Sequence, residues 1–178
     1  MNLLLTDDQR LEMARSLFEA KRTGTGLVPP PSETIEFTMH DAYLVRRLFV
    51  DMLIAQGRSP KGHKIGFTSE AMQQMYGMTG PDFGILLDDV FVPPGEPVPA
   101  STLADARVEA EIAFVMARDL DGPGISVADV IAATDHVCAA IEVIDSRVGA
   151  MRAKAVDSIA DNAGAGRVVL GTVALRCD

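Results

Sequence analysis

The acids of "RVEAEIAFVMARDL" (Arg107 to Leu120) interrupt a run of Ala, Ile, Phe and Val, where a purely structural strand would have no need of them. Glu109 and Glu111 stand two residues apart. In an extended chain the side chains at i and i+2 share a face, so these carboxylates sit side by side. Like charges held together repel and destabilise unless something positive lies between them. A third acid, Glu142, is embedded in the apolar "AAIEVID" on a second predicted strand. Read as buried, the three acids would each be costly to ionise without a counter-charge. A divalent cation removes the conflict, and an all-oxygen donor set suits Mg²⁺ or Mn²⁺ far better than Zn²⁺. The competing reading puts Glu109 and Glu111 on the wet face of an amphipathic strand, with Glu142 paired to Arg147.

Other segments carry weaker signals. In "KGHKIGFTS" (Lys61 to Ser69), Lys64 precedes an apolar strand start and Gly66 leaves room for close approach. A lysine beside a metal-bound substrate can move protons; alone, the segment reads as a surface loop. "GPDFGILLDD" places Asp82 in a predicted tight turn. "DSIADNAGAGR" sets Asp161 and Asn162 before a small-residue loop, without the spacing of a dinucleotide or phosphate-loop site. "DLDGPG" starts like a calcium loop but lacks the distal Glu. His40, His63 and His136 are scattered and give little support to a histidine-based triad.

The elements that must position these residues follow from periodicity. Thr6 and Gln9 form a predicted capping box, and Leu11, Ala14, Leu17 and Phe18 recur at helical spacing, so a helix is expected over about 7–22. Thr38 with Asp41 opens a second helix, stopping near Gly57. These two are expected to form an N-terminal helical arm over 1–58. From Pro60 the texture changes to short apolar runs between turn residues: "HKIGFT", "FGILL", "DVFV", "EAEIAFVMA", "AAIEVID" and "RVVLG". One helix, "SVADVIAAT", is expected among them. The reading is α+β, with a β-rich core over 59–178.

A chain of 178 residues, 48% hydrophobic and 23% charged, is long and apolar enough for a real core. The net charge of -9 argues against nucleic acid. No run approaches the roughly 20 apolar residues of a membrane span, so no membrane partner and a cytoplasmic location are expected. The N-terminus has no basic lead-in or cleavage site, so it does not read as a signal peptide. Cys138 and Cys177 fall short of a disulfide framework, and Cys138 reads as a small core residue.

In order and spacing, "KGHKIGFTSEAMQ", "PDFGILLDDVF", "RVEAEIAFVMARDL", "AAIEVIDSR" and "IADNAGAGRVVLG" resemble the 2-keto-4-pentenoate hydratase family of the fumarylacetoacetate hydrolase superfamily, from about residue 33 to 171. "GHKIGFTS" followed by "PDFGILLDD" is most similar to the 2-oxohept-3-ene-1,7-dioate hydratase branch. The resemblance implies a mixed β roll flanked by helices and a divalent metal, Mg²⁺ or Mn²⁺, on Glu109, Glu111 and Glu142. It implies Lys64 and Asp82 as catalytic residues, with Arg107, Phe83 and Leu87 against a small 2-keto acid substrate. The expected activity is hydration of a 2-hydroxy-2,4-dienoate in the breakdown of aromatic compounds by meta cleavage. Decarboxylation by a 4-oxalocrotonate decarboxylase-like enzyme, or an inactive truncated structural partner, are the alternatives. The family continues beyond the position matching Gly171, so the chain is expected to be C-terminally truncated relative to it. A homo-oligomer, or a complex with a related decarboxylase, is the expected assembly.

Overall fold

Helix α1, Asp7–Thr23, begins where expected: Thr6 Oγ1 accepts from the Gln9 N–H at 3.2 Å, and Gln9 Oε1 accepts from the Thr6 N–H at 2.8 Å. It ends at Gly24, whose φ of 66° turns the chain out of the helix. Helix α2, Met39–Ala55, is capped by Thr38. Its first-turn Asp41 does far more than cap. That carboxylate is fully buried and accepts from the Leu4, Leu5 and Thr38 N–H groups, the Thr38 hydroxyl and the Arg10 guanidinium. Burial of the charge opposes these bonds, but together they hold the Asp41 carboxyl well below the usual carboxylate range. The computed structural model describes residues 3–149 and 152–176; Cys177 lies outside them.

Strands β1, Pro60–Gly66, and β2, Asp82–Leu87, pair antiparallel, with Lys64 opposite Gly84. A helix absent from the sequence expectation, α3 (Glu70–Tyr76), fills the connection and is capped by Ser69. Strands β3 (Ala106–Met116), β4 (Thr134–Asp145) and β5 (Ala165–Leu170) form an antiparallel sheet in that order, so β4 is central and Glu109 lies opposite Glu142. The expected helix is α4, Val127–Ala133; a further short helix, α5, Ala155–Ala160, precedes β5. "DVFV" is not a strand: Asp88–Val90 form a 3₁₀ turn, and Phe91 makes a single parallel bridge to Val168. Asp82, expected in a turn, is the first residue of β2.

Leu17, Val45, Phe49 and Leu53 of the two long helices share one buried cluster with Leu87, Val148 and Ile159. The helices expected as an arm therefore contribute to the same hydrophobic core as the end of β2 and α5. Cys138 is buried in β4, as expected of a small core residue.

Between α5 and β5 the chain makes a sharp turn. Asn162, Ala163 and Gly164 have φ of 56°, 52° and 63°, all left-handed. For an alanine that conformation costs about 1–2 kcal/mol, so the turn must be held from outside. The Asn162 side chain supplies one anchor: its Oδ1 accepts from the Ile85 N–H at 2.7 Å and its Nδ2 donates to the Ile85 carbonyl at 2.8 Å. The amide thus stands in for a neighbouring strand along β2. Asp161 supplies the other anchor, binding Arg147 by both its carboxylate and its carbonyl.

Candidate metal centre

Antiparallel register brings the three acids together. Glu109 and Glu142 are cross-strand partners, and Glu111 lies two residues along β3 on the same face. One carboxylate oxygen from each of Glu109, Glu111 and Glu142 lies within 4.8 Å of the others, the one such three-residue group among the described residues. Glu142 is buried, whereas Glu109 and Glu111 are exposed. The expectation of three buried acids is thus corrected: β3 is an edge strand, and Glu109 and Glu111 on it remain exposed.

Lys64 extends from β1 into this cluster. Its Nζ lies 3.2 Å from Glu142 Oε2 and donates to the Ala163 carbonyl at 3.2 Å. Glu142 therefore pairs with Lys64, not Arg147, which is fully engaged with Asp161 and Asp145. Burial pushes the Glu142 carboxyl above the usual carboxylate range; Lys64 pulls it down, and Glu109 and Glu111 push it further up. Asp82 is similarly raised by burial, with Lys64 pulling against it. Both Asp82 oxygens and Glu142 Oε1 are buried without a well-formed hydrogen bond. Such orphaned acceptors are rare in folded proteins and mark a site rather than a core. Gly66 belongs to the same design, since any side chain there would run into the Asp82 carboxylate.

A cavity of about 360 Å³ adjoins these groups. Lys64, Asp82, Arg107, Glu109 and Glu111 line it, together with Tyr76 of α3 and Asp161, Ala163 and Gly164. Arg107 is half exposed and reaches Asp105 at 3.6 Å, which leaves it at the cavity rim. Phe83 and Leu87 are not brought to the cavity. They lie on the other face of β2, because alternate strand residues point oppositely. Phe83 stacks on Tyr43 at 5.5 Å under the Arg46 guanidinium, and Leu87 is in the core. The sequence reading assigned no role to Ala163 or Asn162. Its available signal was the run "DNAGAG", small residues where a tight left-handed turn approaches another strand.

Oxygen donors alone, one of them a buried orphan, fit a hard divalent ion. One oxygen from each acid lies within 4.8 Å of the others, so the three carboxylates could close on one such ion by side-chain adjustment.

Fold and site together define a mixed helix-and-sheet protein with an acidic centre able to hold a divalent cation. No family model matches the chain. Curated relatives do. It is 39% identical over 168 residues to a 2-keto-4-pentenoate hydratase of Paraburkholderia xenovorans, covering 94% of this chain and 62% of that one. It is 39% identical to a 2-hydroxypent-2,4-dienoate hydratase of Pseudomonas putida, covering 92% of this chain and 74% of the relative. A 2-oxo-hept-4-ene-1,7-dioate hydratase of Escherichia coli is 43% identical over 149 residues, 80% of this chain and 56% of its own. The solved 4-oxalocrotonate decarboxylase of Pseudomonas putida G7, complexed with magnesium and adipate, superposes with a TM-score of 0.92 at 34% identity, over 98% of this chain and 66% of that one. The chain belongs to the 2-keto-4-pentenoate hydratase family. It spans about 62% of the length of the first of these relatives.

Proposed function

We propose that this chain acts as a metal-dependent hydro-lyase, adding water to a 2-hydroxy-2,4-dienoate through its 2-oxo-3-enoate tautomer. The observation that carries this is the meeting of three carboxylate oxygens within 4.8 Å beside a lysine ammonium and a buried, unpartnered aspartate. Glu109, Glu111 and Glu142 would hold Mg²⁺ or Mn²⁺. When bound, the ion supplies Lewis-acid stabilisation of negative charge on the substrate 2-oxygen.

The chain's own groups handle the protons. Going from dienol to 2-oxo-3-enoate removes the enol proton and delivers one to C5. Hydration then places hydroxide on C4 and a proton on C3. Lys64, fixed between Glu142 and the Ala163 carbonyl, is the group that takes and returns protons. Asp82, whose carboxyl burial raises, can stay protonated closer to neutrality than an ordinary acid and orient the attacking water. Arg107, at the rim, faces the substrate carboxylate.

The relatives' names favour hydration, while the similar solved structure is a decarboxylase complexed with magnesium and adipate. Product mass separates the two: hydration adds a water and decarboxylation loses carbon dioxide. Glu109→Gln is expected to abolish Mg²⁺-dependent turnover with an unchanged melting profile, and near-normal activity in that variant would remove the metal role. The β roll of the wider superfamily is the architecture we assign to the sheet. None of the described helices is long and apolar enough to cross a membrane, and a cytoplasmic location is part of this reading. So is assembly with further copies or with a related decarboxylase. That assembly would cover the outer face of β3, where Val108, Ile112 and Phe114 are exposed.

A further inference from the structure

We propose that Asn162 is the positioning residue for Lys64. Its side-chain amide locks the turn whose carbonyl holds the lysine ammonium against Glu142. The inference rests on the reading of Lys64 as the proton-moving group.

Asn162 connects two structures that must agree for Lys64 to be placed. On one side its amide makes both bonds to Ile85, at 2.7 and 2.8 Å. Ile85 follows Gly84, the residue directly opposite Lys64 in the β1–β2 register. On the other side Asn162 leads into Ala163, whose carbonyl accepts from Lys64 Nζ at 3.2 Å. The strand beside the lysine and the turn that catches its tip are thus fastened to each other by one residue.

Gly84 marks the same junction independently. A Cβ there would lie 2.5 Å from the Asn162 carbonyl oxygen and 3.1 Å from Lys64 Cγ, so lysine stem and turn pass through one narrow gap. The ion pair with Glu142 alone would leave the ammonium free to swing about one oxygen. The Ala163 carbonyl supplies the second fixed point. That carbonyl is aimed by a left-handed backbone at Asn162 and Ala163, a conformation that does not hold itself. Asp161 cannot replace the clamp on β2, because its carboxylate and carbonyl are taken by Arg147.

The test is Asn162→Gly, which keeps the left-handed backbone accessible while removing the amide. The first readout is the rate at which acetic anhydride modifies Lys64 in the native chain, mapped by peptide mass, with exposed Lys61 as internal reference. It needs no turnover. Lys64 modification is expected to rise at least about tenfold while Lys61 is unchanged. Gly84→Ala, which wedges turn from strand without touching the amide, is expected to act in the same direction. In turnover, Asn162→Gly is expected to lower kcat by about 10- to 100-fold with KM within twofold, and to cost nothing further in a Lys64→Met background. Unchanged Lys64 reactivity in Asn162→Gly, with only a lower melting temperature, would overturn the proposal, as would multiplicative losses in the double variant. Full turnover by Lys64→Met alone would defeat the catalytic reading of the lysine. The modification rates would still decide whether Asn162 places it.

Discussion

Around Arg147 every buried charge is answered. Its guanidinium and backbone N–H bind both oxygens and the carbonyl of Asp161, and it also reaches Asp145 and the Ala165 carbonyl. Asp145 in turn accepts from the Ala104 and Asp105 N–H groups. Around Lys64 the count does not close. Three buried carboxylate oxygens on Asp82 and Glu142 have no well-formed partner, and three acids face one ammonium. One fold therefore sets a complete ionic cluster beside one left open. The complete cluster holds the chain together at the junction of β4, α5 and the 162–164 turn. The open one has the donor oxygens of a candidate cation site.

Removing Arg147 should have the largest effect on stability. Arg147→Met strands Asp145 and Asp161 inside the protein, and breaking a buried pair this way costs about 3–5 kcal/mol. For a chain of this size that lowers the melting temperature by roughly 10 °C or more. A shift of only a degree or two in a thermal melt would remove the contrast between the clusters.

The pH dependence separates Asp41 from Glu142, whose carboxyls are shifted with opposite sign. Asp41 has a native pKa below its unfolded value, so the native state binds that proton less tightly. Its contribution is fully present above about pH 4 and is lost as pH falls through the depressed native value. Asp41→Asn should flatten the acid-side loss of stability measured by urea unfolding across pH. Glu142 is raised, so its native state favours the proton. Its contribution is fully present below about pH 4 and is lost as pH rises toward the native value. In metal-free buffer Glu142→Gln should therefore gain on the unmodified chain as pH climbs, and a gain that shrinks with rising pH would contradict the reading. At the small end, the exposed Glu19–Arg22 pair should contribute little, and Glu19→Ala should leave the melting temperature essentially unchanged.

Much of this was legible in the sequence, for identifiable reasons. The two capping boxes and the helical spacing behind them located α1 and α2, because those signals are local. Alternation in "RVEAEIAF" put Glu109 and Glu111 on one face, since strand geometry fixes the period. What the sequence did not disclose depends on long-range pairing. Whether Glu142 pairs with Lys64 or Arg147 is decided by the register of β4 and by the turn at 162–164. Phe83 and Leu87 sit out of phase with Asp82, so they turn away from the cavity, Leu87 into the core and Phe83 into a part-exposed stack on Tyr43, although all three lie in one short motif. The short helices α3 and α5 were missed because neither has a Ser or Thr cap followed three residues on by an acid, the signal that Ser126 and Asp129 give the equally short α4.

The central claim is tested most directly by titrating Mg²⁺ and Mn²⁺ into the apo chain by calorimetry, alongside Glu109→Gln, Glu111→Gln and Glu142→Gln. The account predicts one saturable site per chain, weakened by at least about tenfold in each variant while Arg107→Gln leaves it in place. No saturable binding, or binding that all three variants retain undiminished, would contradict it.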